Sequence, residues 1–136
     1  MTAQVSDVLQ WNGKQYQLYS EPFRSYQKQN MHLKERFLFI PKSSSCWRGY
    51  RAKWKIEEGR LYLVSISGWV AQSKGPPRFY RIQEVMGTKD PVFAEWFTGT
   101  LIVPDGKMIQ YIHMPYASRF ERELRVVVVL GLILSD

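Results

Sequence analysis

Apolar and polar residues alternate with period two over much of this chain, which is the pattern of half-buried β-strands. In Tyr50 to Ile56, "YRAKWKI", Tyr50, Ala52, Trp54 and Ile56 fall on one face and Arg51, Lys53 and Lys55 on the other. In "RFERELRV", Phe120, Arg122, Leu124 and Val126 share a face. Arg119, Glu121, Glu123 and Arg125 form an opposite, mixed-sign row expected to face water. The run "RVVVVLGLIL" continues that alternation with β-branched residues, either as one strand or folded back at Leu130-Gly131. Turn signals separate the alternating runs. Asn12-Gly13 stands between "VLQW" and "KQYQLY", and both residues tolerate the positive φ of a two-residue hairpin turn. Glu57 to Gly59 and Pro104 to Gly106 read as two further hairpin turns. "QSKGPPR" (72–78) and "MGTKDP" (86–91) read as loops. The segment Phe23 to Arg36 is the best place for a short helix.

These elements predict an all-β, mainly antiparallel fold. The expected architecture is a β-hairpin meander forming an open barrel or a two-sheet sandwich, with one short helix within residues 23–36. Its length of 136 residues fits one domain, 1–136, with no linker-like tract. The longest apolar run, Val126 to Leu134, falls well short of the ~20 residues of a membrane helix, so no membrane association is expected. No secretory signal is visible at the N-terminus. The single cysteine, Cys46, cannot form an internal disulfide, which points to a reducing, cytoplasmic setting.

Charge changes the picture in one place. The net charge is +7, and the segment Arg24 to Arg60 holds ten basic and three acidic residues, 10 − 3 = +7. The remainder sums to zero. A localised excess of this kind attracts anionic partners or keeps the surface solvated.

Catalytic motifs are sparse. His32, Cys46 and His113 are the only imidazole and thiol groups, and they show no paired spacing for a metal. No phosphate-binding loop and no nucleophile elbow is present, and no cofactor is expected. The stretch "QYIHMPYASRFERE" (Gln110 to Glu123) concentrates chemically active side chains. His113 with Tyr111 and Tyr116 could serve as acid and base if they lined a cavity. The alternative is a strand end, a turn at Met114 to Ala117 and a charged strand whose ion pairs are organisational. Cys46 with His113 as base is arithmetically possible, but a cysteine beside Trp47 is more often packed.

The stretches "WRGYRAKWKIEEGRLYLVSISG" and "VFAEWFTGTLIVPDGKMIQYIHMPYASRFERE", together under half the chain, resemble a family of small bacterial proteins of unknown function. The resemblance implies a bacterial cytosolic origin and β-hairpins at both places. It transfers no catalytic or binding residue. Members of that group carry a Gly in the turn where this chain has Pro115 or Ala117.

Three functions fit these observations. The first, and the main expectation, is a non-catalytic protein-interaction module with a basic, aromatic-rich β-surface: Trp47, Arg48, Arg51, Lys53 and Lys55. Its partner would be an acidic protein, and one form would be an immunity protein that neutralises a bacterial toxin. The second is single-stranded nucleic-acid binding through the same cations. Its weakness is that Tyr50 and Trp54 fall opposite the cationic row. The third is a small-ligand barrel with His113 as acid or base. The pattern is silent on oligomeric state.

Overall fold

A computed structural model describes residues 5–30, 38–41, 45–46, 48–110, 116 and 119–135, the side chains of 107–110, 119 and 135 excepted. Among the described residues the fold is a nearly closed, mostly antiparallel β-barrel with two short helices. In chain order the elements are β1 (Asp7–Trp11), β2 (Lys14–Leu18), α1 (Pro22–Gln29), β3 (Phe39–Ile40), β4 (Tyr50–Glu57) and β5 (Arg60–Val70). They continue with β6 (Arg78–Tyr80), α2 (Ile82–Met86), β7 (Val92–Phe93), β8 (Gly99–Gln110), β9 (Arg119–Val129) and β10 (Leu132–Ser135).

The strands follow the order β2-β1-β4-β5-β10-β9-β8, and β3, β6 and β7 add to the long β5. The two ends of this path meet. The Tyr19 N–H donates to the Ile102 carbonyl at 2.7 Å. The Ser20 hydroxyl donates to the Thr100 carbonyl at 3.2 Å and accepts the Ile102 N–H at 2.9 Å. These contacts cover the edges of β2 and β8, which would otherwise offer unpaired backbone groups.

One pairing departs from a simple meander. β1 and β4 lie parallel, with Val8 opposite Lys53 and Gln10 opposite Lys55. Parallel neighbours need a crossover, and β2, α1 and β3 intervene between them. α1 is held by aromatic packing. Phe23 meets Tyr50 edge to face at 5.3 Å, Tyr26 meets Trp96 at 4.9 Å, and the Trp96 indole donates to the Pro22 carbonyl at 3.0 Å.

Three hairpins turn on pairs of residues at positive φ, as a type I′ turn requires. They are Asn12 (51°) with Gly13 (75°), Glu58 (51°) with Gly59 (73°), and Leu130 (47°) with Gly131 (81°). The chain therefore does fold back at Leu130-Gly131. The expected turn at Pro104 to Gly106 is overturned: β8 runs through it without reversing. Gly106 takes φ 85°, and the register with β9 shifts between Asp105 and Met108. That is a β-bulge, where a left-handed glycine absorbs one extra residue. The helix α2 was not anticipated. It is a single capped turn, with the Arg81 N–H donating to Glu84 at 2.8 Å and Gly87 at φ 79° ending it.

The barrel interior is filled by side chains, among them Leu9, Leu18, Trp54, Leu61, Leu63, Ile66, Val70, Leu101, Val103, Val126 and Val128. The alternation read in "YRAKWKI" holds, with Tyr50, Ala52 and Trp54 buried and Arg51 and Lys53 exposed. The outward row of β9 is charged where described: Glu121, Glu123 and Arg125 are exposed. Asp105 and Arg122, directly opposite each other on β8 and β9, form an ion pair at 3.2 Å. Among the described residues no helix is long and apolar enough to cross a membrane.

Candidate functional site

The basic row divides into separate environments. Arg51 and Lys53 project from the outer face of β4 and are exposed. Lys55, half-buried, pairs with Glu57 at 2.6 Å and lies 5.4 Å from the centre of the Tyr62 ring. Arg48 leaves the row altogether, for its side chain is only 7% exposed and points into the protein. Trp47 lies outside the described residues.

The outer face of β4 continues onto two aromatics. Trp69 on β5 and Phe79 on β6 are directly paired, 40% and 39% exposed, and meet edge to face at 5.4 Å. The Arg81 guanidinium covers the Phe79 ring at 4.9 Å. Since Arg51 lies opposite Ser67, two residues before Trp69, cations and aromatics share one surface. A depression of about 360 Å³ opens there, lined by Ile40, Arg51, Ser67, Trp69 and Phe79 among others.

A bulge explains why Trp69 faces out. Lys53 opposes Ser65 while Trp54 opposes Leu63, so Val64 is an extra residue in β5. Up to Leu63 the inward residues are Leu61 and Leu63; beyond the bulge they are Ile66, Gly68 and Val70. Period two counted from Leu61 would place Trp69 inside. The sequence carries no separate mark of the phase change, so Trp69 was absent from the expected surface, and Phe79 and Arg81 join it only because β6 pairs with β5.

A second constellation is buried. Asp7, fully buried, receives the Arg48 guanidinium at 2.6 Å and the Trp54 indole N–H at 2.9 Å. Arg48 also donates to the Val5 carbonyl at 2.6 Å and to the Tyr116 hydroxyl at 3.3 Å. Tyr116 in turn donates to Glu21 at 2.7 Å. Burial raises the Asp7 carboxyl to about 6, against the opposing pull of Arg48 and Trp54. Burial also raises the Tyr50 phenol, with Asp7 and Glu21 adding to it, and the Tyr116 phenol, where the bond to Glu21 adds and Arg48 opposes. Both phenols therefore stay protonated near neutral pH, and that of Tyr116 donates to Glu21. The cluster ties the β1 entrance, the loop before β4, β4 itself and the β8–β9 connection together.

Of the acid–base candidates, Tyr116 sits in this cluster at φ 55°, while Tyr111 and His113 lie outside the described residues, as does the metal candidate His32. Cys46 is buried and its thiol donates to the Tyr50 carbonyl at 3.3 Å. Among the described residues no group of three or more His, Cys, Asp or Glu is placed to hold a metal ion. A family scan finds no model matching this chain, and neither a curated protein nor a solved structure gives a significant match.

Proposed function

We propose that this protein is a non-catalytic binding module whose contact surface is the outer face of β4, β5 and β6. The observation that carries the reading is the exposed Trp69–Phe79 pair beside Arg51, Lys53 and Arg81. Trp and Arg dominate interface energetics, because a large flat ring and a planar cation bury much area at small cost in freedom. The cations select an acidic protein partner and speed its approach. The free, buried Cys46 supports a reducing, cytoplasmic setting. One concrete form is a bacterial immunity protein that covers the active site of a toxin with an acidic surface.

The test is a pull-down of tagged protein from its own source lysate, with and without nuclease, at low and physiological salt. A stoichiometric protein that resists nuclease is expected. Trp69→Ala should weaken its binding by ~30-fold or more, the cost of a hot-spot truncation of about 2 kcal/mol. Equal retention by Trp69→Ala and by Arg51→Glu would sink this reading.

A second reading, single-stranded nucleic-acid binding, draws on the same observation, because exposed aromatics share a face with cations. The Phe79 ring already carries Arg81, which leaves less open face for base stacking. Affinity for an oligonucleotide that falls steeply with salt would favour this second reading. The side-chain-filled interior gives no support to a ligand-holding barrel centred on His113.

A further inference from the structure

The proposed contact face carries a second aromatic pair at its far end. Leu61 and Leu63 point inward, so Tyr62 between them points out. Tyr62 is directly opposite Phe93 on β7, and the two rings lie 6.0 Å apart. The Lys55 ammonium sits 5.4 Å from the Tyr62 ring and the Arg60 guanidinium 5.7 Å from the Phe93 ring. At the near end Arg81 covers Phe79 in the same way. Between the two ends, Arg51 and Lys53 stand opposite Ser67 and Ser65. Both are exposed, and neither joins an ion pair among the described residues. Lys55 is already neutralised by Glu57.

Arg81, Arg51, Lys53 and Arg60 thus form a cationic stripe of roughly 25 Å along the strands, counted at the rise of a β-strand. Such a stripe fits an elongated anion. Its ring contacts favour carboxylates over a nucleic-acid strand. A ring face that carries a cation is given up for base stacking. A cation held on a ring has lost freedom beforehand and keeps its outer N–H groups for a carboxylate. The spacing favours an extended chain. Arg51 and Lys53 recur every second residue, ~6.6 Å apart, which is the step between alternate side chains of an extended peptide. At the near end the depression of about 360 Å³ beside Trp69 has room for one large apolar side chain.

We infer that the partner meets this face with an extended acidic segment. Carboxylates at alternate positions face Arg51 and Lys53, flanking ones reach Arg81 and Arg60, and an aromatic side chain at one end fills the depression beside Trp69. This assignment rests on the proposed contact face and narrows its occupant to a carboxylate-bearing extended chain.

The experiment is fluorescence anisotropy of labelled ten-residue peptides on the whole protein, at low and physiological salt. One peptide has a Trp followed by four Glu alternating with Thr. A second has the same composition with the four Glu contiguous, a third has Gln for Glu, and a ten-nucleotide oligothymidylate is the fourth probe. The alternating peptide should bind ~tenfold more tightly than the contiguous one, and further ahead of the Gln peptide. Arg51→Glu, Lys53→Glu and Trp69→Ala should each weaken it ~tenfold or more. Lys28→Glu makes the same change of net charge at an exposed position on α1 and should leave binding within about twofold of the parent. No binding by the alternating peptide, equal binding of the two Glu peptides, or a loss from Lys28→Glu as large as from Arg51→Glu would overturn the inference. The contact face would survive those results if Trp69→Ala still lost the protein captured in the pull-down. Oligothymidylate binding more tightly than the alternating peptide, with no protein captured, would instead overturn both.

Discussion

The Asp7–Arg48 pair decides how the start of the barrel is held. Neither residue announces this in the sequence. Asp7 alternates normally within "SDVLQW", and Arg48 stands among other cations. Only folding brings them to 2.6 Å in a place closed to water. Removing the cation strands a buried carboxylate, so Arg48→Met should cost about 3–5 kcal/mol in urea denaturation. Adding Asp7→Asn to it should restore part of that loss, because the stranded charge goes as well. The pair also gives a pH signature. The Asp7 carboxyl is raised from 3.8 to about 6 in the folded protein, facing Arg48, Glu21, Tyr50 and Tyr116. The folded state therefore holds a proton that the unfolded state has released. Its contribution is fully present below about pH 4 and disappears as pH rises through 6, a change of up to about 3 kcal/mol. Stability measured against pH should show this loss in the parent and not in Asp7→Asn. Equal slopes for the two would contradict it.

At the level of elements, turn chemistry was readable where residue type and conformation agree. Asn12-Gly13 is a hairpin turn by composition and in fact. Leu130-Gly131 left two readings open because leucine rarely takes φ 47°. Leu130 is 62% exposed and buries little there, so Leu130→Asn should relieve the strain and stabilise by about 1 kcal/mol in thermal unfolding. Pro104-Asp105-Gly106 was misread because proline followed by a left-handed glycine suits a turn and a bulge alike. The neighbouring strand β9 decides between them by pairing on both sides of Gly106. Gly68 illustrates a different constraint. A Cβ there would stand 2.5 Å from the Gly49 carbonyl and 2.7 Å from the Phe39 ring. Gly68→Ala should therefore cost about 1–3 kcal/mol by overpacking, and a parent-like denaturation midpoint would show that β3 can move aside.

For the whole molecule, the question is how a sheet of this order avoids open edges. Ser20 answers part of it by bonding both Thr100 and Ile102 across the seam between β2 and β8. Ser20→Ala should cost about 1–2 kcal/mol and speed amide exchange at Ile102, with exchange in the β4–β5 hairpin unchanged. Uniformly faster exchange would argue that the seam is not a local unit. Closure also shapes where contact can occur. It packs the interior with side chains, which leaves the proposed recognition to the outer surface.

The sequence by itself determined the strand content, the main turns and the inward face of β4, because these depend on neighbours two residues apart along the chain. It also set the excess of positive charge and the scarcity of metal and nucleophile motifs. Tertiary structure decided the rest. The Val64 bulge inverts the phase of β5 and exposes Trp69. The crossover through α1 makes β1 and β4 parallel neighbours, and it brings Asp7, Glu21, Arg48 and Tyr116 together across up to 109 positions of chain. Such contacts depend on which strands meet and in what register. A period read along one strand carries no information about either.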